Sequence, residues 1–394
     1  MFKAPAFKAL VLACFALAAS TSAQAQQAKG WKLDRVVVIM RHGVRPPTKA
    51  EPLPAGEAAQ PWPTWDVDWG YLTAHGAQAV AKVGDYDRTT YADLLGKTCP
   101  TAHDVRIVAD SDERTIKTAE AYAAAMFAGC TVPVDHLPQG QKDARFSPDM
   151  SAIDPAAAQA AVQSVLPPGG LPAVDAQYAD DLKALTRILG CTQPACDLSQ
   201  QPATIDTSKG KIKLGGGLNT ASTMAEILAL EYAEGKPMTE VGWGRTNRAE
   251  IAELLRFHPL EYNLVSRPKA VADIGAKALL SEVKRGLFAT DTARYTVLVG
   301  HDGNIAYIGG ALNLHWQGGD FPNDDPPPAG ALIFELWHGK KGDQHVIVRF
   351  RSQTLDEMRN LTPLTSAAAK PLPLPQCANA QTCEAKTFES ALPN

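Results

Sequence analysis

"RVVVIM", residues 35–40, runs directly into "RHGVRPPTK", residues 41–49. A short apolar run rich in β-branched residues, with no polar alternation, suits a strand covered on both faces at the centre of a parallel sheet. It ends on Arg41, His42 and Gly43, with Arg45 two positions on. Two further segments share the design. "DVRIVAD" (104–110) leads into "SDERTIKTAEAYAAAM" (111–126), and "RYTVLVG" (294–300) ends on His301-Asp302 before "GNIAYIGGALNL" (303–314). After the second run, Ile116, Ala119, Tyr122, Ala123 and Met126 recur at helical spacing behind a first turn rich in acids. The alternation predicts an α/β fold, a mainly parallel sheet flanked by helices. In open sheets of this kind ligands bind beyond the carboxyl ends of the strands, where these charged residues stand.

The middle of the chain reads differently. From 151 to 267 helical periods such as "TASTMAEILALEYAEG" (220–235) dominate and strand-like runs are few. We therefore expect an α/β domain in two parts, 26–150 and 268–394, with a smaller, mostly helical domain (151–267) inserted beside the site. "ALIFELWH" (331–338) and "QHVIVRFRSQTL" (344–355) predict an antiparallel hairpin. Gly309 and Gly310 fall inside a predicted helix and suggest close packing rather than a phosphate loop.

At the N-terminus, Lys3 and Lys8 precede an apolar run from Ala9 to Ala19, and Ala23-Gln24-Ala25 fits a signal-peptidase site. Residues 1–25 are thus expected to be a signal peptide, and the mature protein periplasmic or secreted. The run is too short to span a bilayer, and the apolar stretch before Cys14 is very short for a lipid-attachment site. Two of the 38 Lys and Arg leave with the signal while all 42 acids stay, moving the formal charge from −4 to −6. An acidic protein has no general attraction for nucleic acid or anionic lipid, so neither is an expected partner. An anionic small molecule must be caught by a local cluster. Oligomeric state is open in the sequence, with a monomer as the default.

Of seven cysteines, six remain once Cys14 is removed. Proximity suggests Cys191 with Cys196, Cys377 with Cys383, and Cys99 with Cys130, one of fifteen connectivities that six cysteines allow. Zinc is the competing reading, but neither close pair has zinc-finger spacing, and an oxidising compartment favours disulfides.

The strand-end residues carry chemistry. Arginine offers a planar fork that matches phosphate oxygens and stays charged. Two cationic neighbours disfavour imidazolium, so His42 tends toward the neutral, nucleophilic form. Such an imidazole could attack phosphorus and form a phosphohistidine that water later hydrolyses. His301-Asp302 supplies a further phosphate donor and a candidate acid for the leaving alcohol, and Arg114 a third guanidinium. Gly43 is read as leaving room for a ligand near the backbone. Three arginines and a histidine neutralise a phosphoryl group without metal or other cofactor. Two readings compete. A metal-dependent phosphohydrolase would use His42, His301 and Asp302 as ligands, and a non-catalytic phosphate-binding protein would need only the arginines. The remaining histidines, among them His258, have no partner pattern and read as structural or exposed.

"RHGVRPPTK" resembles the RHGxRxP signature of histidine acid phosphatases, branch two of the histidine phosphatase superfamily. "GHDGNIA" resembles their HD-containing motif, and "ADSDERTIKTAEAYAAAM" the segment that carries a third phosphate-binding arginine. With "WGYLTAHG", "VGWGR" and "PPPAGALIFELW", the likeness extends over most of the mature chain, toward the secreted bacterial phytases and glucose-1-phosphatases. The resemblance implies His42 as nucleophile, Asp302 as proton donor, and Arg41, Arg45, Arg114 and His301 as the phosphate pocket. It also implies that Lys49 helps bind a polyphosphorylated substrate and that Glu226 is an acidic pocket residue. The expected substrate is a small phosphomonoester, with phytate (myo-inositol hexakisphosphate) favoured over a sugar phosphate. One departure bears on that choice: phytases typically follow HD with threonine, and this chain has Gly303.

Overall fold

The computed structural model describes residues 30–53, 58–208, 212–365 and 368–393; the expected signal peptide and Cys14 lie outside the described residues. In chain order the strands are β1 (Lys32–Arg41), β2 (Val105–Ala109), β3 (Val134–Asp135), β4 (Thr204–Asp206) and β5 (Lys213–Gly215). They continue with β6 (Tyr295–Gly300), β7 (Ala331–His338), β8 (Gln344–Arg351), β9 (Ala369–Pro371) and β10 (Cys383–Glu384). The central sheet has the order β10-β8-β7-β1-β6-β2-β3, with β9 also paired to β8. β1, β6, β2 and β3 are mutually parallel, as the three apolar runs predict. The predicted hairpin is β7–β8, and β7 joins it antiparallel to β1, so an antiparallel wing extends the parallel centre.

The unbroken hydrophobicity of β1 has a simple cause. Val37 and Ile39 enter a core formed with Leu279, Val283, Ile305 and Ile308, from the helices Lys269–Phe288 and Asp302–Ala311. Val36, Val38 and Met40 enter the opposite core with Val80, Val83, Ile116 and Ala119, from the helices Ala74–Thr90 and Glu113–Met126. Neither face meets water, so neither can be polar. Gly309 and Gly310 lie in the second of the first two helices, where a Cβ would strike Arg267.

Residues 151–267 hold the helices Pro155–Val165, Gly170–Gln177, Ala179–Leu189, Gly217–Ala233, Arg248–Leu254 and Phe257–Val265, with β4–β5 a small hairpin. Their core is shared: Val44, Ala79, Phe321, Leu355 and Met358 from the rest of the chain pack into it. Disulfides join Cys99 to Cys130, Cys191 to Cys196 and Cys377 to Cys383.

The helix Gly217–Ala233 is buried along nearly its whole length, Glu231 included. Its Glu231 accepts a hydrogen bond from Gly242 N at 3.0 Å, beside Gly242 and Trp243, which are both in the left-handed region (φ 54° and 56°). Burial pushes this carboxyl up to about 7, the Gly242 bond opposing it. A raised carboxyl pKa means the folded state holds the proton more tightly. Its contribution is therefore full below the ordinary glutamate range and lost as pH rises through about 7. Glu231→Gln is expected to match the parent's unfolding free energy in acid and to exceed it above neutral pH by about 3 kcal/mol, read from the denaturation midpoints. Equal midpoints at both ends of the range would contradict this.

Candidate active site

The register of the parallel strands builds the site. Arg41 pairs with Gly300 and Ala109 with Val299, so β1, β6 and β2 end together. The next residues, His42, His301 and Asp110, therefore emerge side by side at one sheet edge. His42 is anchored through its backbone: its N–H donates to Gly300 O at 3.0 Å, and its carbonyl accepts from Ala329 N at 3.0 Å. The ligand-approach reading of Gly43 gives way to a packing one. A Cβ there would lie 2.7 Å from Val80 Cγ2 and 2.9 Å from Leu72 Cδ1, so glycine lets β1 meet the helix Ala74–Thr90.

His42 is buried, and its Nδ1 lies 2.9 Å from the Gly43 carbonyl. A carbonyl only accepts, so Nδ1 carries the proton and the lone pair of the neutral ring sits on Nε2. Burial holds this imidazole well below its ordinary pKa, reinforced by Arg114, Arg45, Arg41 and His301. The second imidazole has the opposite tautomer. Arg114 Nη2 donates toward His301 Nδ1 at 3.3 Å, and His301 Nε2 lies 2.8 Å from Asp110 Oδ2, so His301 keeps its proton on Nε2. Asn304 Oδ1 accepts from the His301 N–H at 2.8 Å and closes the cap of the helix Asp302–Ala311. The two rings meet edge to face at 5.7 Å.

Arg41 is held from three sides. Its Nη1 donates to Pro326 O at 2.7 Å, and its Nη2 meets Asp302 Oδ2 at 2.7 Å and pairs with Glu226. Arg45 Nη2 lies 3.3 Å from Glu226 Oε1, and Arg114 Nη2 2.6 Å from Asp112 Oδ2. Among the described residues, the buried Nε atoms of Arg41, Arg45 and Arg114 have no hydrogen-bond partner. Three guanidiniums with an orphaned donor apiece suit an anion with several acceptor oxygens.

Asp302 is governed by its neighbours. Burial alone would raise its pKa, but Arg41, His258, His42 and Arg45 hold it well below the usual carboxylate range. Glu226, on the helix Gly217–Ala233, is lowered in the same way: burial opposes, and Arg45, Arg41 and His258 prevail. His258 is a site residue that the sequence does not single out. Its Nε2 is 3.9 Å from Asp302 Oδ2 and its Nδ1 2.8 Å from Asp325 Oδ1. Burial works against its charge, but Asp325 and Glu226 raise its pKa. Asp325 comes from the Pro-rich loop after Gly318, 67 residues away, a pairing that no local pattern announces. Lys49 is exposed. The adjacent Thr48 Cα and the Arg114 Nη1 lie 3.6 Å and 3.8 Å from the Cβ position of Gly70, which puts this turn on the Arg114 side.

A cavity of about 520 Å³ opens beside His301, Asp302 and Gly303, walled by Lys142, Phe146, Glu261, Tyr262 and Tyr307 among others. A Cβ on Gly303 would meet nothing within 4 Å. Among the described residues two triads could hold a divalent cation, Asp110–Asp112–His301 and Glu226–His258–Asp302. Each already has an arginine in ion-pair contact, so a cation there would compete with a fixed guanidinium. What the arrangement can do chemically is bind a phosphoryl group among guanidiniums, against a neutral imidazole with its lone pair on Nε2.

Known proteins share this architecture. The profile of the histidine phosphatase superfamily (branch 2) matches residues 32–182. Phytase AppA of Escherichia coli (strain K12) is 34% identical over 374 residues, covering 87% of this chain and 86% of that protein. A glucose-1-phosphatase of Providencia rettgeri is 30% identical over 366 residues, covering 89% and 88%. Hafnia alvei phytase in complex with myo-inositol hexakis sulphate superposes with a TM-score of 0.83 at 31% identity, over 92% of this chain and 96% of that one. Similarity that runs through nearly the whole length, at these identities, places the chain in the histidine phosphatase superfamily, branch 2, as a phosphoric monoester hydrolase.

Proposed function

We propose that the protein is an exported acid phosphatase that works through a phosphohistidine on His42 and takes myo-inositol hexakisphosphate as its substrate. The observation that carries the reaction is the His42 imidazole, neutral, with Nε2 unprotonated, among Arg41, Arg45 and Arg114. In this reading His42 Nε2 attacks phosphorus while the three arginines and His301 hold the equatorial oxygens. Asp302 protonates the leaving alcohol and then takes a proton from the water that attacks the phosphoenzyme. An Asp302 held ionised by Arg41 must gain a proton before it can give one, so activity is expected to fall as pH rises out of the acid range. Activity climbing steadily into alkaline buffer would remove Asp302 from this role.

Phytate is favoured by the phytases among the relatives, and Lys49 and Glu226 are proposed as its further contacts. A glucose-1-phosphatase-like activity is the second reading, and Gly303 favours it because the open position removes a hydroxyl from the pocket edge. The decisive experiment is phosphate release from phytate, glucose 1-phosphate and an aryl phosphate at mildly acidic pH with chelator present. Phytate turned over fastest supports the proposal; glucose 1-phosphate fastest selects the second reading. Phosphate bound without turnover would make this a binding protein, and loss of activity in chelator would bring back a metal. Gly303→Thr fills open space and is expected to leave stability unchanged. It should move the kcat/KM ratio toward phytate by roughly fivefold, the worth of about one hydrogen bond. An unchanged ratio would take Gly303 out of the specificity argument.

The export proposal rests on the leader sequence. Among the described residues no helix is long and apolar enough to cross a membrane.

A further inference from the structure

Three carboxyl residues line the cavity beside the HD motif: the exposed Asp149, which accepts from Ser151 N at 3.0 Å, and Asp302 and Glu261, which are held differently from each other. Both Asp302 oxygens already accept from fixed donors: Oδ1 from Gly303 N at 2.8 Å and Oδ2 from Arg41 Nη2 at 2.7 Å. A carboxylate held this way is set to receive a proton and has none to give. Glu226 is likewise committed to Arg41 and Arg45. Glu261 has no such partner: among the described residues no lysine or arginine forms an ion pair with it. The Ser222 hydroxyl, from the neighbouring helix Gly217–Ala233, favours its charged form.

Position adds to this. Glu261 follows His258 by three residues on the helix Phe257–Val265, so the two share a face. That face is aimed at Asp302, since His258 Nε2 lies 3.9 Å from Asp302 Oδ2. The charged and titratable groups around Glu261 are Glu226 from one helix, His258 and Tyr262 from its own, Asp302 and Tyr307 from a third, and His301, Lys142 and Asp149 elsewhere on the cavity wall. Burial raises its carboxyl pKa, Ser222 and His258 oppose this in part, and Asp302 and Glu226 add to it. Of three clustered carboxyls, two are held low by arginines and the third is pushed up by burial, so Glu261 binds a proton more tightly than the other two.

We propose that Glu261 is the proton store of the leaving-group step, a positioning residue that recharges Asp302 across the cavity. The proposal rests on the phosphohistidine reading above. As the His42 Nε2–P bond forms, the P–O bond to the alcohol breaks and its electron pair stays on the leaving oxygen. The proton of Glu261 passes to Asp302 and from there to that oxygen, which leaves both carboxyls ionised. When water attacks, the new O–P bond forms, the N–P bond breaks and its pair returns to Nε2. The proton shed by water passes to Asp302 and back to Glu261. The net change is ester and water to alcohol and phosphate. The cavity is roomy and polar enough to hold bridging water.

The test is leaving-group dependence. An aryl phosphate departs without protonation, whereas an alkyl phosphate such as glycerol 2-phosphate needs it. Glu261→Gln keeps the shape and the neutral charge of the acid but holds no transferable proton. It is expected to lower kcat on the alkyl ester by about 10²-fold and on the aryl ester by less than about threefold. Inhibition by inorganic phosphate should be unchanged. Glu261→Asp, which retains the acid, should recover part of the alkyl rate. Equal losses on both esters, or no loss on either, would overturn the proposal. So would a Glu261→Asp variant no better than Glu261→Gln. Asp302→Asn separates the two levels: if it leaves the alkyl rate intact, the acid assignment beneath this inference fails first.

Discussion

His42→Ala is expected to abolish phosphate release from every ester, with kcat falling on the order of 10³–10⁶-fold. The size follows from what is removed. The three guanidiniums can still bind a phosphate, but alanine offers no lone pair to phosphorus, and water must then attack the bound ester unaided. Binding and catalysis should therefore separate: the dissociation constant for inorganic phosphate should change little while turnover vanishes. Quenching the parent in alkali during turnover of phosphate-labelled substrate should trap label on the protein, since phosphohistidine survives base and is lost in acid. His42→Ala should trap none. Label trapped equally by the variant would move the covalent intermediate to another residue. The fold should tolerate the change, because the His42 backbone bonds to Gly300 and Ala329 do not involve its ring.

Arg41→Ala is expected to damage activity and stability together. Arg41 is the common partner of Asp302 and Glu226, and it is 1% exposed. Removing it leaves two poorly solvated carboxylates facing each other, with only Arg45, 3.3 Å from Glu226, and His258, 3.9 Å from Asp302, to offset them. Breaking a buried pair from one side costs about 3 kcal/mol or more, which denaturant titration would read directly. Loss of one equatorial clamp should lower kcat on the order of 10³-fold. Because the unpaired carboxylates would each take up a proton more readily, the destabilisation should shrink as the pH is lowered. The parent's carboxyls are depressed, so their contribution is present above the ordinary carboxylate range and lost as pH falls through the folded values. Arg41→Lys separates the effects: charge should restore much of the stability, while loss of the planar fork should leave activity low. A stable, active alanine variant would refute the assignment of Arg41 to the clamp.

How much of this was legible in the chain varies by residue. The three parallel strands announced themselves, because a strand buried on both faces cannot alternate and must read as an unbroken apolar run. Arg41, His42, Arg45, Arg114, His301 and Asp302 were legible for a related reason. Each lies within a few residues of such a strand's carboxyl end, so local sequence already carries its position. Gly43 shows where local reading stops: the residue was visible, but its reason, contact with Val80 and Leu72, belongs to a helix and the turn leading into it, about 30 residues or more away.

The sequence by itself determined the central sheet, the edge at which the site would form and the residue types gathered there. Only the tertiary structure decided which of them touch. The register Arg41–Gly300 and Ala109–Val299 brings the three strand ends level, and burial then turns proximity into chemistry. Enclosure by the helices Gly217–Ala233 and Phe257–Val265 brings Glu226 and His258 against Arg41 and Asp302, and sets Glu261 on the cavity wall. None of these contacts has a period or a motif. They arise because charged groups removed from water must find partners wherever the packed chain supplies them.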